Sequence, residues 1–246
     1  MKQRAGFTLI ELIIVLLLMG GILVWIARAF VSSAHGRDQL AGSSQLAGEV
    51  STVLYNIDTD AARAGSLSLS PSVALYLSEH WPVGEDSVEV VHGDDYDTLT
   101  FRWAESGACS DSNDTPLTIG SESVCIVKAR YRVNDEGELV RSYKGSEESI
   151  AGFKVEEFHV FWGTADGWQW NRPSPEDARA IGVYLRVSVP YDKPKGCGTY
   201  PSSGLLDPYG DEVKNAIGET TYSGDACLRL VQEDVVEFPL ANTQHW

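Results

Sequence analysis

A long apolar run near the amino terminus is the feature that most constrains how this chain can fold. The run extends from Phe7 to Phe30, about 24 residues, and it contains only two charges, Glu11 and Arg28. A helix of that length spans a bilayer. The basic residues before the run favour a cytoplasmic amino terminus. We therefore predict a transmembrane helix over residues 7–30, with the rest of the chain on the far side of the membrane.

The order of small and apolar residues differs from that of an ordinary secretory signal. Such a signal has its cleavage site after the apolar run, whereas here the small residue Gly6 precedes the run. Cleavage after Gly6 would remove residues 1–6 and keep the helix. It would also create an amino group on Phe7, about four residues from Glu11. A carboxylate in an apolar helix is costly unless it is paired, so we expect Glu11 to pair with the Phe7 amine of a staggered neighbouring copy.

The heptapeptide GFTLIEL at residues 6–12 carries a resemblance to a known family. Placed after a basic leader and before an apolar helix, it resembles the type III signal of type IV prepilins and type II secretion pseudopilins. The resemblance implies that a membrane-embedded prepilin peptidase cuts between Gly6 and Phe7 and methylates Phe7. It also implies that Glu11 serves subunit recruitment and register. The motif covers about the first 30 residues, and a plain single-pass anchor is the alternative.

An apolar stripe predicts that the helix continues beyond the membrane. Apolar residues recur with a period of about 3.6 residues, which is typical of a helix with one buried face. We expect this face to pack on a sheet and the helix to stop near Gly65. The stripe consists of Leu46, Val50, Val53, Leu54, Ile57 and Ala61, and the intervening polar residues are Ser51, Asn56, Asp58 and Asp60.

Strand-forming residues dominate the chain after Gly65. A hairpin turn is predicted at Asn134–Gly137. The predicted strands cover residues 87–91, 98–103, 124–133, 138–143, 154–162, 181–189 and 227–238. The stretch between Val189 and Cys227 is rich in Gly, Pro and Ser, and it is predicted to be a long loop. One helix followed by many strands indicates an α+β fold with an antiparallel sheet.

These patterns predict a chain of four parts with the architecture of the pilin fold. The parts are a cleavable leader at 1–6, a transmembrane and filament-core helix at 7–30, an amphipathic helix continuation at 31–65 and a β-rich periplasmic head at 66–246. Further degenerate patterns resemble those of PilW-like minor pilins and of the J-type pseudopilin of type II secretion. They lie at residues 58–65, at residues 129–133 together with 138–141 across the hairpin, and at residues 150–162 followed by 180–189.

Four cysteines predict disulfides that staple the loops of the head. No CxxC pair is present, which disfavours a zinc knuckle, and an even number of cysteines in a chain that leaves the cytosol favours disulfides. Three pairings are possible. We expect pairing between sequence neighbours, Cys109 with Cys125 and Cys197 with Cys227.

One short segment is a candidate for a metal site. Asp111, Asn113 and Asp114 offer oxygen ligands at close spacing, as calcium loops do. They lack the Gly and the downstream Glu of an EF-hand. We therefore expect no cofactor, with calcium at these residues as the alternative.

Composition and motifs argue against catalysis and against binding of nucleic acids. The formal net charge of −16 repels phosphate backbones. No HExxH, GxSxG or P-loop pattern is present, and the histidines are scattered at His35, His80, His92, His159 and His245. Asp94, Asp95 and Asp97 are interpreted as a solvated turn rather than a metal site. The aromatic residues Phe158, Phe161, Trp162, Trp168 and Trp170 are predicted to pack in the core rather than form an exposed interface.

Together, these features predict a non-catalytic minor pilin that helps prime assembly of a type IV pilus and caps its tip. The alternatives are a J-type pseudopilin or a pilin-anchored adhesion or binding module. Expected partners are prepilin peptidase, other minor pilins or pseudopilins, the major pilin and the inner membrane, with no nucleic acid. The expected location is the bacterial inner membrane, with a cytoplasmic amino terminus and a periplasmic head, and afterwards the filament.

Overall fold

A computed structural model describes residues 19, 44–82, 86–150, 152–174, 177–190, 199–200, 203–218, 220–221 and 229–240. The described residues from Leu46 onward belong to one packed unit. Within the described part of the chain, no helix is long and apolar enough to cross a bilayer. The predicted transmembrane segment, residues 7–30, lies outside the described residues except for Met19.

Helix α1, residues 44–63, carries the predicted apolar stripe. Five of the stripe residues are at most 2% exposed, and Leu54 is partly buried. They pack in one core with both main sheets of the head. The prediction of one buried helical face is therefore confirmed, but Asp60, which was assigned to the polar side, is fully buried.

Sheet A contains seven strands and includes the predicted hairpin. Its order is β1-β3-β5-β6-β7, with β2 also paired to β3 and β4 to β5. The turn at Asn134–Gly137 joins β5 to β6, and Gly137 has a φ of 79° that suits glycine. The strands are β1 Leu67–Ser68, β2 Val88–Val91, β3 Thr98–Ser106, β4 Thr115–Ile119, β5 Glu122–Val133, β6 Leu139–Tyr143 and β7 Ser146–Ser149.

Sheet B contains four antiparallel strands in the order β13-β10-β8-β9. These are β8 Lys154–Thr164, β9 Gly167–Gln169, β10 Ala180–Pro190 and β13 Arg229–Pro239. Alternate residues of β8 point to opposite faces. Phe158, Val160 and Trp162 face the main core, whereas Phe161 belongs to a second cluster on the other face. The predicted α+β fold is confirmed, with its long strands divided between two sheets.

The turn between β2 and β3 connects the two sheets. Tyr96 forms an isolated parallel bridge with Phe158 of β8. The N–H of Asp97 donates to the Phe158 carbonyl at 2.7 Å, and the N–H of Phe158 donates to the Asp95 carbonyl at 3.3 Å. Backbone hydrogen bonds therefore continue from sheet A to sheet B at this point.

Short helices cover the outer face of each sheet. Helix α2, Pro71–Glu79, buries Val73 and Leu77 against sheet A. Helix α3 (Ser203–Leu206), a 3₁₀ turn (Asp207–Tyr209) and helix α4 (Asp211–Ile217) lie between β11 (Thr199–Tyr200) and β12 (Thr220–Thr221). They pack on Phe161 and Tyr184 of sheet B. The prediction of one long loop between Val189 and Cys227 is therefore wrong for these residues, because two short helices bury apolar side chains there.

Candidate functional site

The residues predicted to carry processing and assembly lie outside the described part of the chain. They are Gly6, Phe7 and Glu11. Cleavage after Gly6, methylation of Phe7 and register setting by Glu11 stay predictions from the sequence. The described residues show instead how the head is attached to its helix and where its buried charges lie.

Asp60 attaches helix α1 to sheet A. Its carboxylate accepts hydrogen bonds from the Tyr131 hydroxyl at 2.6 Å and from Nε and Nη2 of Arg141, both at 2.9 Å. Two-point contact with a guanidinium is among the stronger side-chain interactions. Burial and the neighbouring Asp60 carboxylate raise the pKa of the Tyr131 phenol well above its usual value. The stripe pattern placed Asp60 only among the intervening polar residues, and it did not indicate these partners, which lie more than 70 residues away in the sequence.

The rest of the segment at residues 58–65 fixes the end of helix α1 on strand β3. The guanidinium of Arg63 lies over the Trp103 ring, 5.8 Å from its centroid. Gly65 has a φ of 68°, and its N–H donates to the Arg102 carbonyl at 2.8 Å. This sequence pattern, which supported the family resemblance, therefore has a structural role at the junction between helix and sheet.

The Cys109–Cys125 disulfide is present, as predicted. The two Cα atoms are 5.0 Å apart, and the bridge ties the loop after β3 to the start of β5. A bridge that closes a loop of this size stabilises a fold by about 3 kcal/mol. Cys197 and Cys227 lie outside the described residues, so their pairing stays a prediction.

The candidate calcium residues do not share one environment. The exposed Asp111 carboxylate accepts hydrogen bonds from the N–H groups of Asn113 (3.1 Å) and Gly145 (2.8 Å), and these lower its pKa. Asp114 is only 5% exposed and accepts the N–H of Lys128 at 3.0 Å. That N–H lies on the edge of β5 between the residues paired with β4 and those paired with β6.

Burial raises the pKa of Asp114, and its second carboxylate oxygen accepts no hydrogen bond from the described residues. Ligand atoms of Asp114, Cys109 and Cys125 lie within 4.8 Å of one another. The two sulfur atoms are bonded to each other, so they do not bind a metal in this form. Both carboxylates thus have structural contacts, and a calcium site stays a prediction.

Asp97 is the centre of a buried polar cluster that the sequence did not indicate. It is 1% exposed, so the predicted solvated turn is wrong at this residue. One carboxylate oxygen accepts the N–H of Val160 at 2.7 Å and Nδ1 of His92 at 3.0 Å. The other faces the N–H of Gly93 at 3.2 Å and Nδ1 of His159 at 3.5 Å.

The hydrogen bonds to Asp97 determine the direction of its pKa shift. Burial acts to raise the pKa of Asp97, but the hydrogen bonds from His159, His92 and the Val160 N–H outweigh it, so the pKa is lowered. The cluster joins the turn before β3 to strand β8. Two histidines that are 67 positions apart in the sequence (159 − 92) therefore meet at one carboxylate.

The aromatic residues pack inside the head, as predicted. Phe158 and Trp162 lie in the main core, and Phe161 is buried on the outer face of sheet B. Trp168 and Trp170 are partly buried there. The rings of Phe161, Trp168 and Tyr209 meet edge to face, with centroid distances of 5.1–5.4 Å.

A buried arginine completes the polar part of this outer face. The side chain of Arg186 is fully buried and donates to Glu157 and Glu233, both at 2.6 Å. Burial raises the pKa of Glu157, although the neighbouring Arg186 opposes this effect. The alternating pattern of β10 predicts which residues share a face, but it gives no sign of these acidic partners.

Comparisons with known proteins give two findings. Residues 1–25 match the family model for the prokaryotic N-terminal methylation motif. A type IV-like pilin of Thermus thermophilus has a similar structure, with a TM-score of 0.53 and 16% sequence identity over 80% of this chain and 98% of that chain. No curated protein matches the chain significantly. The amino terminus therefore carries the prokaryotic N-terminal methylation motif, and the fold of the chain is similar to that of a type IV-like pilin.

Proposed function

We propose that this chain is a minor pilin, a non-catalytic subunit that helps prime assembly of a type IV pilus and caps its tip. The observation that carries the proposal is the presence, in one chain, of an N-terminal methylation motif and a head with a pilin-like fold. Proteins of this family are in general structural rather than enzymatic. His159 and the buried carboxylates of the head have structural roles in this account.

The size of the head supports a position at the tip. The unit from Leu46 onward contains two main sheets, and helices cover the outer face of both. Subunits in a shaft have neighbours above and below, so a bulky head must fit between them. A subunit at the tip has no neighbour above it, and the large head is accommodated there most easily.

Processing in this proposal links the amino terminus to the filament. Prepilin peptidase removes residues 1–6 and methylates Phe7, and the helix over residues 7–30 moves from the inner membrane into the filament core. Glu11 pairs with the amine of an adjacent subunit, which gives the buried charge a partner. The periplasmic head then travels with the filament, next to other minor pilins and the major pilin.

Immunogold labelling tests this function in a normally piliated bacterium from which its own copy of this subunit has been deleted. We expect the wild-type chain to restore piliation and to be labelled at filament tips, in few copies per filament. The E11A variant is expected to be cleaved but to be missing from filaments. The E136A variant, which removes a carboxylate from the exposed hairpin turn, is the matched control and is expected to behave like the wild type.

Three outcomes would contradict the proposal. Label spread along the whole shaft would remove the role at the tip, and normal incorporation of E11A would remove the proposed register role of Glu11. Restored protein secretion, with no effect on pili, would identify a pseudopilin instead.

A further inference from the structure

His92 lies between two oxygen acceptors that belong to different parts of the head. Its Nδ1 is 3.0 Å from an oxygen of the buried Asp97 carboxylate, and its Nε2 is 3.2 Å from the backbone carbonyl oxygen of Trp170. A neutral imidazole has one N–H and one lone pair, so it donates to only one of two acceptors. The imidazolium form donates to both.

The aromatic neighbour of His92 favours the same charge state. The imidazole ring stacks on the indole of Trp170, with centroids 4.2 Å apart and planes 21° apart. A cation over the face of a tryptophan is attracted by the electrons of the ring. Two hydrogen bonds and one ring contact therefore all become stronger when His92 is charged. The His92 side chain is 28% exposed, so protons reach it from the solvent.

Trp170 connects His92 to the residues that cover the outer face of sheet B. We call these residues, 168–171 and helix α4, the outer layer. The backbone N–H of Trp170 and the side-chain amide of Asn171 both donate to one oxygen of Glu212 in helix α4, at 3.3 and 3.4 Å. Helix α4 in turn buries Val213 and Ile217 over the aromatic residues of sheet B. Contacts thus run from the β2–β3 turn, through His92 and Trp170, to α4.

We propose that His92 is a pH-responsive latch that fastens the outer layer of sheet B to the turn joining the two sheets. When the ring is charged, it holds both Asp97 and the carbonyl of Trp170. When the ring loses a proton, the remaining N–H stays with the buried carboxylate, and the Nε2 lone pair then faces the Trp170 carbonyl. The segment at residues 168–171 and helix α4 then lose one hydrogen bond to the turn, and they open more readily. This inference does not depend on the proposed function.

Other charged groups limit the pH range in which the latch is closed. Asp97 has to stay ionised, and the second imidazole, that of His159 on β8, donates to it as well. Asp94 and Asp95 are the other acidic residues of the same turn, Glu157 lies beyond His159 on β8, and Glu212 faces Trp170 from α4. Histidine changes its charge between about pH 5 and 8. The latch is therefore closed while the Asp97 carboxylate is ionised and both nitrogens of the His92 ring carry a proton.

Hydrogen exchange of the full-length chain in detergent micelles tests the latch. The protection of the backbone amides of residues 167–171 and 211–217 against exchange is compared with that of the β5–β6 hairpin. The chemical rate of amide exchange changes with pH in the same way in both regions, so the ratio removes this effect. We expect the relative protection to fall about tenfold from pH 5.5 to 8, the effect of losing one hydrogen bond to a charged group. A constant ratio in the wild-type chain would overturn the proposal.

Two variants test whether the pH response of the protection comes from His92 rather than from another histidine. H92Q keeps a neutral N–H donor at every pH, so its relative protection is expected not to change with pH. The matched control is H80Q, because His80 also has its Nδ1 near a carbonyl oxygen and stacks on an aromatic ring. Among the described residues, His80 has no hydrogen bond to a carboxylate, so H80Q should keep the wild-type response. Retention of the pH response in H92Q would contradict the latch.

A measurement on the wild-type chain alone tests the latch even if the variants fail to fold. Nitrogen-15 NMR of the histidine rings reports which nitrogen carries a proton. We expect both His92 nitrogens to be protonated where the outer layer is protected, and the neutral ring to keep its proton on Nδ1. A neutral ring protonated on Nε2 would show that Asp97 is not the preferred acceptor and would overturn the proposal.

Discussion

At the scale of single residues, the layers of the head are joined by buried charges whose partners lie far away in sequence. Asp60 connects helix α1 to sheet A, and Asp97 connects sheet A to sheet B. Arg186 connects neighbouring strands of sheet B. Removing one member of a buried pair leaves the other without compensation, which is usually more costly than replacing both. These residues are therefore sensitive positions of the head.

The first prediction concerns the attachment of helix α1. The D60N substitution keeps the size of the side chain but removes the charge that Arg141 and Tyr131 contact. We expect the free energy of unfolding to fall by about 2–4 kcal/mol. The matched control is D58N, which changes an exposed aspartate on the same helix and should alter stability by less than about 0.5 kcal/mol. Urea unfolding followed by circular dichroism measures both, and equal effects would refute the special role of Asp60.

The second prediction concerns the acid stability of the head. Because the pKa of Asp97 is lowered in the folded state, its ionised form contributes stability above the usual aspartate pKa of about 3.9. That contribution is lost as the pH falls through the lower folded pKa. We expect the wild type to lose more stability between pH 5 and pH 2 than D97N does. D94N, at an exposed position of the same turn, is the control. The prediction fails if D97N and the wild type show the same pH dependence.

The sequence could not have revealed these contacts, and the reason is physical. Periodicity shows which residues share one face of a helix or strand, and it correctly identified the apolar stripe of α1. It carries no information about which distant side chain meets a polar residue on that face. The stripe pattern consequently placed Asp60 only among the polar residues between the apolar positions, and Asp97 was interpreted as part of a solvated turn.

At the scale of elements, long periodic segments were predicted better than short ones. Helix α1 and the hairpin between β5 and β6 have many residues that repeat the same pattern. Helices α2 and α4 have nine and seven residues, with one buried pair each: Val73 with Leu77, and Val213 with Ile217. Pro71 and Gly218 mark their ends, yet the surrounding Gly, Pro and Ser are more typical of loops.

The third prediction concerns close packing in sheet B. A Cβ atom added at Gly182 would lie 2.2 Å from a ring carbon of Phe161, so the buried ring would have to move. We expect G182A to lower the free energy of unfolding by about 1–3 kcal/mol. The matched change is G48A in helix α1, where an added Cβ meets nothing within 4 Å.

In contrast, G48A should raise the free energy of unfolding by about 0.5–1 kcal/mol, because alanine favours the helical conformation. Thermal unfolding of both variants gives the comparison. Stabilisation by G182A would contradict the packing described for the second face of β8.

At the scale of the whole molecule, the head uses both faces of both sheets. Helix α1 packs in the core that the inner faces share, while α2 and the α3–α4 segment cover the outer faces. The acidic composition, with a formal net charge of −16, favours solubility and basic partners over phosphate backbones. The head is thus a packed unit of two sheets and their covering helices, and the amino-terminal segment carries the N-terminal methylation motif.

The fold class and the amino-terminal signal were accessible from the sequence for different reasons. The signal is contiguous, so GFTLIEL and the apolar run can be recognised without knowing any tertiary contact. The α+β class follows from the order of elements, one helix and then strands. The strands divide between two sheets that backbone hydrogen bonds join at residues 95–97, and short-range patterns show neither the division nor this connection.

One measurement tests the central claim, that this chain is a prepilin, most directly. The full-length chain is co-expressed with a prepilin peptidase, and the mature amino terminus is identified by sequencing and mass spectrometry. We predict loss of residues 1–6 and a methylated Phe7, with no cleavage when the peptidase is omitted or inactivated. An amino terminus that remains at Met1, or a cut after the apolar run, would contradict the account.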